Sequence, residues 1–184
     1  MRKRIVCCAL FILVAATLAT TALTRQQDKS KRPSPPEKAM CTLPSGKTIT
    51  TDYSSPRMKG RKIFAEDGLV PFGKVWRAGA NEATTFVTTA DLTIEGKEIP
   101  AGSYTLFTVP EADKWTLVIS KKTGEWGIPY PGEQFDFARV PMKVSKLPSP
   151  VEDFTISYAK EMGGCALRMD WETTRASVMI HEKK

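Results

Sequence analysis

Residues 154–171 read FTISYAKEMGGCALRMDW. Phe154, Ile156 and Tyr158 alternate with Thr155 and Ser157, and Leu167, Met169 and Trp171 alternate with Arg168 and Asp170. Successive side chains of a strand point to opposite faces, so each run has one apolar and one polar face. Gly163-Gly164 divides the two runs with turn chemistry. The same period recurs upstream. Trp115, Leu117 and Ile119 alternate with Thr116, Val118 and Ser120, and Tyr104, Leu106 and Thr108 with Thr105, Phe107 and Val109. These runs are apolar on both faces, which predicts central strands in a sheet covered on both sides. Breaks at Glu95-Gly96, Glu111–Lys114 and Thr173-Thr174 cut the chain into short strands, at the roughly 8–12-residue spacing of sandwiches and barrels. No amphipathic helix pattern exceeds two turns. The expected fold is all-β: an antiparallel β-sandwich, jelly-roll-like or partly barrelled, over residues 39–184.

Two segments precede it. Arg2, Lys3 and Arg4 lead into an apolar run from Ile5 to Ala19 whose only polar member is Thr17, followed by the small residues Ala19 to Ala22. That is the pattern of a secretory signal, here residues 1–24. The rival is an uncleaved anchor, since Ile5 to Leu23 approaches the ~20 residues a spanning helix needs. Either sends the rest of the chain across the membrane, to the periplasm or the medium, with a membrane contact only through this segment if it stays uncleaved. Cys7 and Cys8 precede most of the apolar run, the wrong place for lipidation. Residues 25–38, RQQDKSKRPSPPEK, have no apolar side chain except proline. They read as a disordered, basic, Pro-rich linker.

The formal charge of +7 resembles a nucleic-acid footprint until it is divided. Residues 1–24 carry +3 and residues 25–38 another +3, which leaves +1 for residues 39–184. The folded region lacks a basic surface for phosphate, so no nucleic-acid partner is expected. Of the four cysteines, Cys41 and Cys165 remain beyond the signal. In an oxidising compartment they are expected to form one disulfide. Two unpaired thiols are the alternative, because spacing does not give geometry.

The sequence excludes much chemistry. Beyond the signal the sole histidine is His181, near the C-terminus, where a frayed tail would hold a catalytic base poorly. Zinc ligands of the His/Cys kind are too few, and no phosphate-binding or dinucleotide loop appears. No metal and no cofactor are expected. Three segments concentrate polar and aromatic groups. In residues 71–86, PFGKVWRAGANEATTF, small residues separate Trp76, Arg77, Asn81 and Glu82. Arg77 suits a carboxylate or a sugar hydroxyl through its planar fork. Glu82 is the only candidate general acid or base. The structural alternative is an Asx turn at Asn81 and an Arg77–Glu82 ion pair fixing the loop. In SSPRMKGR, residues 54–61, Arg57 and Arg61 suit an anionic group or form a solvated loop. In Gly124-Glu125-Trp126-Gly127, Trp126 is either a stacking platform or a plug at one end of the core. Glu82 and Glu125 would be the pair for glycoside hydrolysis.

Taken in order, YSSPR with KGRKIF, LVPFGKVWRAGANEAT, IPAGSYTLF, GEWG and VEDFTI resemble a bacterial family known as domain of unknown function 2911, over roughly residues 41–180. The resemblance implies an exported domain. It brings no activity, cofactor or catalytic residue. The expected function is therefore non-catalytic binding of a small polar ligand, such as a saccharide or envelope fragment, by Arg57, Arg61, Trp76, Arg77, Asn81, Glu82 and Trp126. The alternatives are a hydrolase using Glu82 and a structural or protein-interaction domain of the cell envelope.

Overall fold

A computed structural model describes residues 28–183. The signal or anchor expected at residues 1–24 lies outside the described residues. The strands are β1 (Pro36–Thr42), β2 (Thr48–Ser54), β3 (Phe64–Ala65), β4 (Val70–Pro71), β5 (Thr84–Thr88), β6 (Leu92–Ile94), β7 (Lys97–Ile99), β8 (Gly102–Pro110), β9 (Lys114–Ser120), β10 (Asp136–Glu161) and β11 (Gly164–Glu182). Nine of them form one antiparallel sheet in the order β1-β2-β5-β8-β9-β10-β11-β6-β7, and β3 pairs with β4 in parallel. Helical structure among the described residues is limited to two 3-10 turns, Lys29–Lys31 and Glu133–Phe135. The fold is the all-β antiparallel sandwich that the period-two runs predict.

The central strands are the two whose faces are both apolar. β8 and β9 pair through Thr105↔Ser120 to Pro110↔Trp115. One face supplies Leu106, Trp115, Leu117 and Ile119 to the main core. The other buries Phe107 and Val118 under Ala83, Val75 and Tyr130. Glu95 and Gly96 both take positive φ between β6 and β7, the backbone of a tight hairpin turn.

Strand length departs from the sequence expectation. β10 has 26 residues and β11 has 19. A straight strand of that first length would span about 85 Å, far more than a domain with a radius of gyration near 15 Å can hold. β10 therefore has to bend. Its register against β11 shifts between Lys146 and Val151 and again between Val151 and Thr155. Pro148 and Pro150 lie there and lack the N–H a ladder requires. Opposite them Glu172 takes φ 53°. The Thr173-Thr174 break is thus a bulge inside one continuous strand. His181 is also ordered, paired with Thr93 of β6 rather than frayed.

The bend folds the sheet on itself. β1 comes against β10, and the Cys41–Cys165 disulfide ties β1 to the start of β11 with a Cα–Cα distance of 6.7 Å across a sequence separation of 124. In the chain-entropy model such a loop contributes roughly 4–5 kcal/mol at most. The chain after β2 completes the closure, as Met58 N–H donates to Glu152 O and Phe154 N–H to Pro56 O. A cluster of five aromatic rings packs together at one part of the core. Trp76 stacks on Trp171 at 5.7 Å, Phe154 meets Trp76 at 4.8 Å, and Phe64 meets Trp115 at 4.7 Å.

The reading of residues 25–38 as a disordered linker needs correction for residues 28–38. β1 begins at Pro36, pairing Pro36 with Ser54 and Lys38 with Asp52. Pro35 O accepts from Ser55 N–H, and Ser34 O accepts from the Asn81 side-chain amide. Composition missed this because the segment is held by backbone hydrogen bonds and ion pairs and buries few apolar groups of its own. A chain beginning at residue 39 is expected to be about 3 kcal/mol or more less stable in denaturant than one beginning at residue 28, since several hydrogen bonds at about 1 kcal/mol each are lost. Equal midpoints would show that the segment does not hold the domain.

Candidate functional site

The loop between β4 and β5 is fixed at almost every residue. Trp76 and Thr108 exchange backbone hydrogen bonds of 2.8 Å in both directions. The Trp76 indole N–H donates to Gly79 O at 3.1 Å. Thr84 Oγ1 donates to Ala78 O at 2.7 Å, Ala80 N–H to Ser54 O, and Ala83 N–H to Glu125 O. Two non-glycine residues, Ala78 at φ 50° and Asn81 at φ 55°, lie in the left-handed region. An alanine there costs on the order of 1–2 kcal/mol. Glycine is required where a neighbour comes close. A Cβ on Gly127 would lie 2.9 Å from the Ala83 Cβ and 3.0 Å from the Arg77 Cβ, so the Gly124–Gly127 segment packs directly on this loop.

That packing places Arg77. Its Nη1 donates to Trp126 O at 3.1 Å, and its guanidinium lies 5.5 Å from the centre of the Trp126 ring. No carboxylate forms an ion pair with it among the described residues. Desolvation by burial lowers its pKa, and the charge of Glu82 only partly opposes that. The ion pair between Arg77 and Glu82 that the sequence allowed is not formed.

Glu82 pairs elsewhere. Arg32 Nη1 donates to both of its oxygens, at 3.1 and 2.8 Å, and Lys29 Nζ lies 3.0 Å away. Burial raises its pKa, but its own backbone N–H and the Lys29 and Arg32 groups outweigh that and hold the carboxyl down at about 2. Such a group carries no proton at neutral pH and accepts one weakly, which is unsuited to general acid–base work.

Two cavities flank these residues. The first, about 310 Å³, has Arg61 and Arg77 on its wall and Trp76, Trp171, Val70 and Leu69 among its apolar lining. Ser34, Pro56, Gly79, Ala80 and Ile128 complete it. Arg61 is held by donation to Met58 O and Arg57 O at 3.0 and 2.5 Å, and it too has no carboxylate partner among the described residues. The second cavity, about 300 Å³, includes Lys29, Asp52, Glu82 and Glu125. Each of those carboxylates already has a cation: Lys38 on Asp52 at 3.1 Å, Lys122 on Glu125 at 3.5 Å, and Lys29 with Arg32 on Glu82. Among the described residues no group of three or more His, Cys, Asp or Glu is arranged to hold a metal ion.

The structure thus divides the seven residues singled out in the sequence. Arg61, Trp76 and Arg77 meet at one cavity. Trp126 stands beside it, 53 % exposed and not a core plug. Glu82 lines the other cavity. Asn81 faces back to Ser34, and Arg57 is taken by Asp153 at 3.2 Å. Residues not singled out are Lys29, Arg32 and Ser34, which compositional reading assigned to a linker, and Leu69 and Ile128, exposed apolar residues at the cavity (47 and 65 %).

A family model described as a protein of unknown function, DUF2911, matches residues 34–180. The chain belongs to the DUF2911 family. The match begins at Ser34, so this DUF2911 domain includes the last part of the amino-terminal segment that packs on the loop. No curated protein and no solved structure matches the chain.

Glu82 makes a pH prediction. Its folded pKa lies below the ordinary 4.5, so its ion pairs stabilise above about pH 4.5, and that contribution is lost as pH falls towards about 2. The melting temperature of the parent should fall more steeply over that window than that of Glu82→Gln. Parallel curves would contradict the pairing.

Proposed function

We propose that this domain is a non-catalytic binding module that takes a small polar ligand, a saccharide or envelope fragment, in the cavity bounded by Arg61 and Arg77. One observation carries the reading: two guanidinium groups, neither with a carboxylate partner among the described residues, stand on the wall of a cavity floored by Trp76 and Trp171. Arg61 is exposed and Arg77 partly buried; leaving Arg77 without a counter-ion costs folding free energy, and groups held at such a cost concentrate at functional sites. The left-handed Ala78 beside Arg77 adds strain at the same place. Apolar walls with a few convergent polar groups are the usual make-up of a small-ligand site. A Glu82-dependent hydrolase fits less well, because that carboxyl is committed to Lys29 and Arg32. Export to the periplasm or the medium belongs to the same proposal, supported by the basic and apolar start of the chain and by the disulfide.

The test is calorimetric titration of the protein with a panel of glycans and peptidoglycan fragments. Arg77→Ala or Arg61→Ala should weaken binding at least tenfold, about 1.4 kcal/mol, and Arg57→Ala should not change it. Binding indifferent to Arg61 and Arg77 would place the ligand elsewhere.

A further inference from the structure

The chemistry of the cavity wall narrows the ligand, provided the cavity is the binding site as proposed above. Arginine offers five donors and no acceptor. The two indole N–H groups are already used, Trp76 on Gly79 O and Trp171 on Glu152 O. Among the lining side chains only the Ser34 hydroxyl can accept a hydrogen bond. A sugar presents hydroxyls that donate as well as accept, so it would leave donors unmatched against this wall. The two arginines make donors the dominant polar side-chain groups of this wall, and a head that only accepts, an anion, complements them best. Arginine forks match the planar carboxylate in particular.

The rest of the wall asks for an apolar group next to that head. Pro56, Val70, Trp76, Ile128 and Trp171 line the same space. A volume of about 310 Å³ sits at the small end of ligand pockets, and suits one side chain with its head rather than an oligosaccharide. A phosphate, hydrated on all sides, would not be placed against such a floor. Outside the mouth, Trp126 lies against Arg77 and is half exposed, a flat apolar surface over which a chain leaving the cavity would run.

We infer that the cavity captures the free carboxyl end of a peptide whose last residue has a bulky apolar side chain. Arg61 and Arg77 hold the carboxylate, the apolar wall of Leu69, Trp76 and Ile128 takes the side chain, and Trp126 carries the residue before it.

The experiment titrates the full chain with a tetrapeptide ending in phenylalanine, as the free acid and as the C-terminal amide, with octanoate, inorganic phosphate and a peptidoglycan-derived disaccharide as further probes. The free acid should bind, the amide should bind at least tenfold more weakly, and Arg61→Ala and Arg77→Ala should each weaken the acid at least tenfold. The acid–amide comparison uses the unmutated protein, so it stands even if a variant folds poorly. Equal binding of acid and amide overturns the inference. So does octanoate or phosphate binding as tightly as the peptide, which would assign the site to a lipid carboxylate or to a phosphate. Arg77-dependent binding of the disaccharide without the peptide overturns it while leaving the binding module intact. Binding of no probe by the folded protein overturns the inference, and the proposed function then rests on the glycan and peptidoglycan panel alone.

Discussion

The stack of Trp76 on Trp171 is the contact on which the rest of the domain depends. Trp171 stands on β11 one residue before its bulge at Glu172, and Trp76 stands at the start of the loop before β5. The pair therefore joins the bend of the long hairpin to the loop that carries Arg77, which has no carboxylate partner among the described residues. Trp171 is essentially fully buried, and aromatic pairs of this kind contribute about 0.5–1.5 kcal/mol beyond their buried area. Phe154, on the strand opposite, packs on both rings. The same rings floor the cavity. Core and cavity are thus two sides of one cluster, and the loop above it adds Ala78 and Ala83 to the buried interior.

The charges around that loop are arranged unequally. Glu82 draws two cations from the amino-terminal segment, while Arg77 and Arg61 are left with backbone carbonyls for partners. Had Arg77 paired with Glu82, the loop would be a closed ionic clasp. Instead, Lys29 and Arg32 occupy the carboxylate, and the guanidinium of Arg77 pairs with no carboxylate among the described residues. The amino-terminal segment contributes Ser34 to the cavity lining as well. Its packing therefore bears on the site as well as on stability.

Much of the fold was legible in the residues. The alternation in FTISY and LRMDW gave strands that now lie in β10 and β11, and double-faced apolar runs gave the central β8 and β9, because burial on one or both faces writes itself directly into period two. What was not legible was continuity. Prolines 148 and 150 and the pair Thr173-Thr174 signal interruption, yet the bend they permit keeps a single pair of strands running through both halves of the sandwich. Loop residues marked as Arg, Trp and Asn came out near one another, but their partners did not follow from spacing. Lys29 and Arg32 lie some fifty residues from Glu82, and no local pattern announces an ion pair across that distance. The segment holding them is polar and proline-rich, a composition that describes what it cannot bury and is silent on what it can hydrogen-bond to.

The central claim is that Arg77 is kept unpaired for a ligand and does not clasp the loop. Denaturant unfolding of Arg77→Ala beside the parent tests it most directly. The expected change is within about 1 kcal/mol in either direction, since the variant gives up one hydrogen bond and one cation–π contact and regains the desolvation of a partly buried charge. A loss of roughly 3 kcal/mol or more, the size expected when one partner of a buried pair is removed, would contradict the claim and return the loop to a purely structural role.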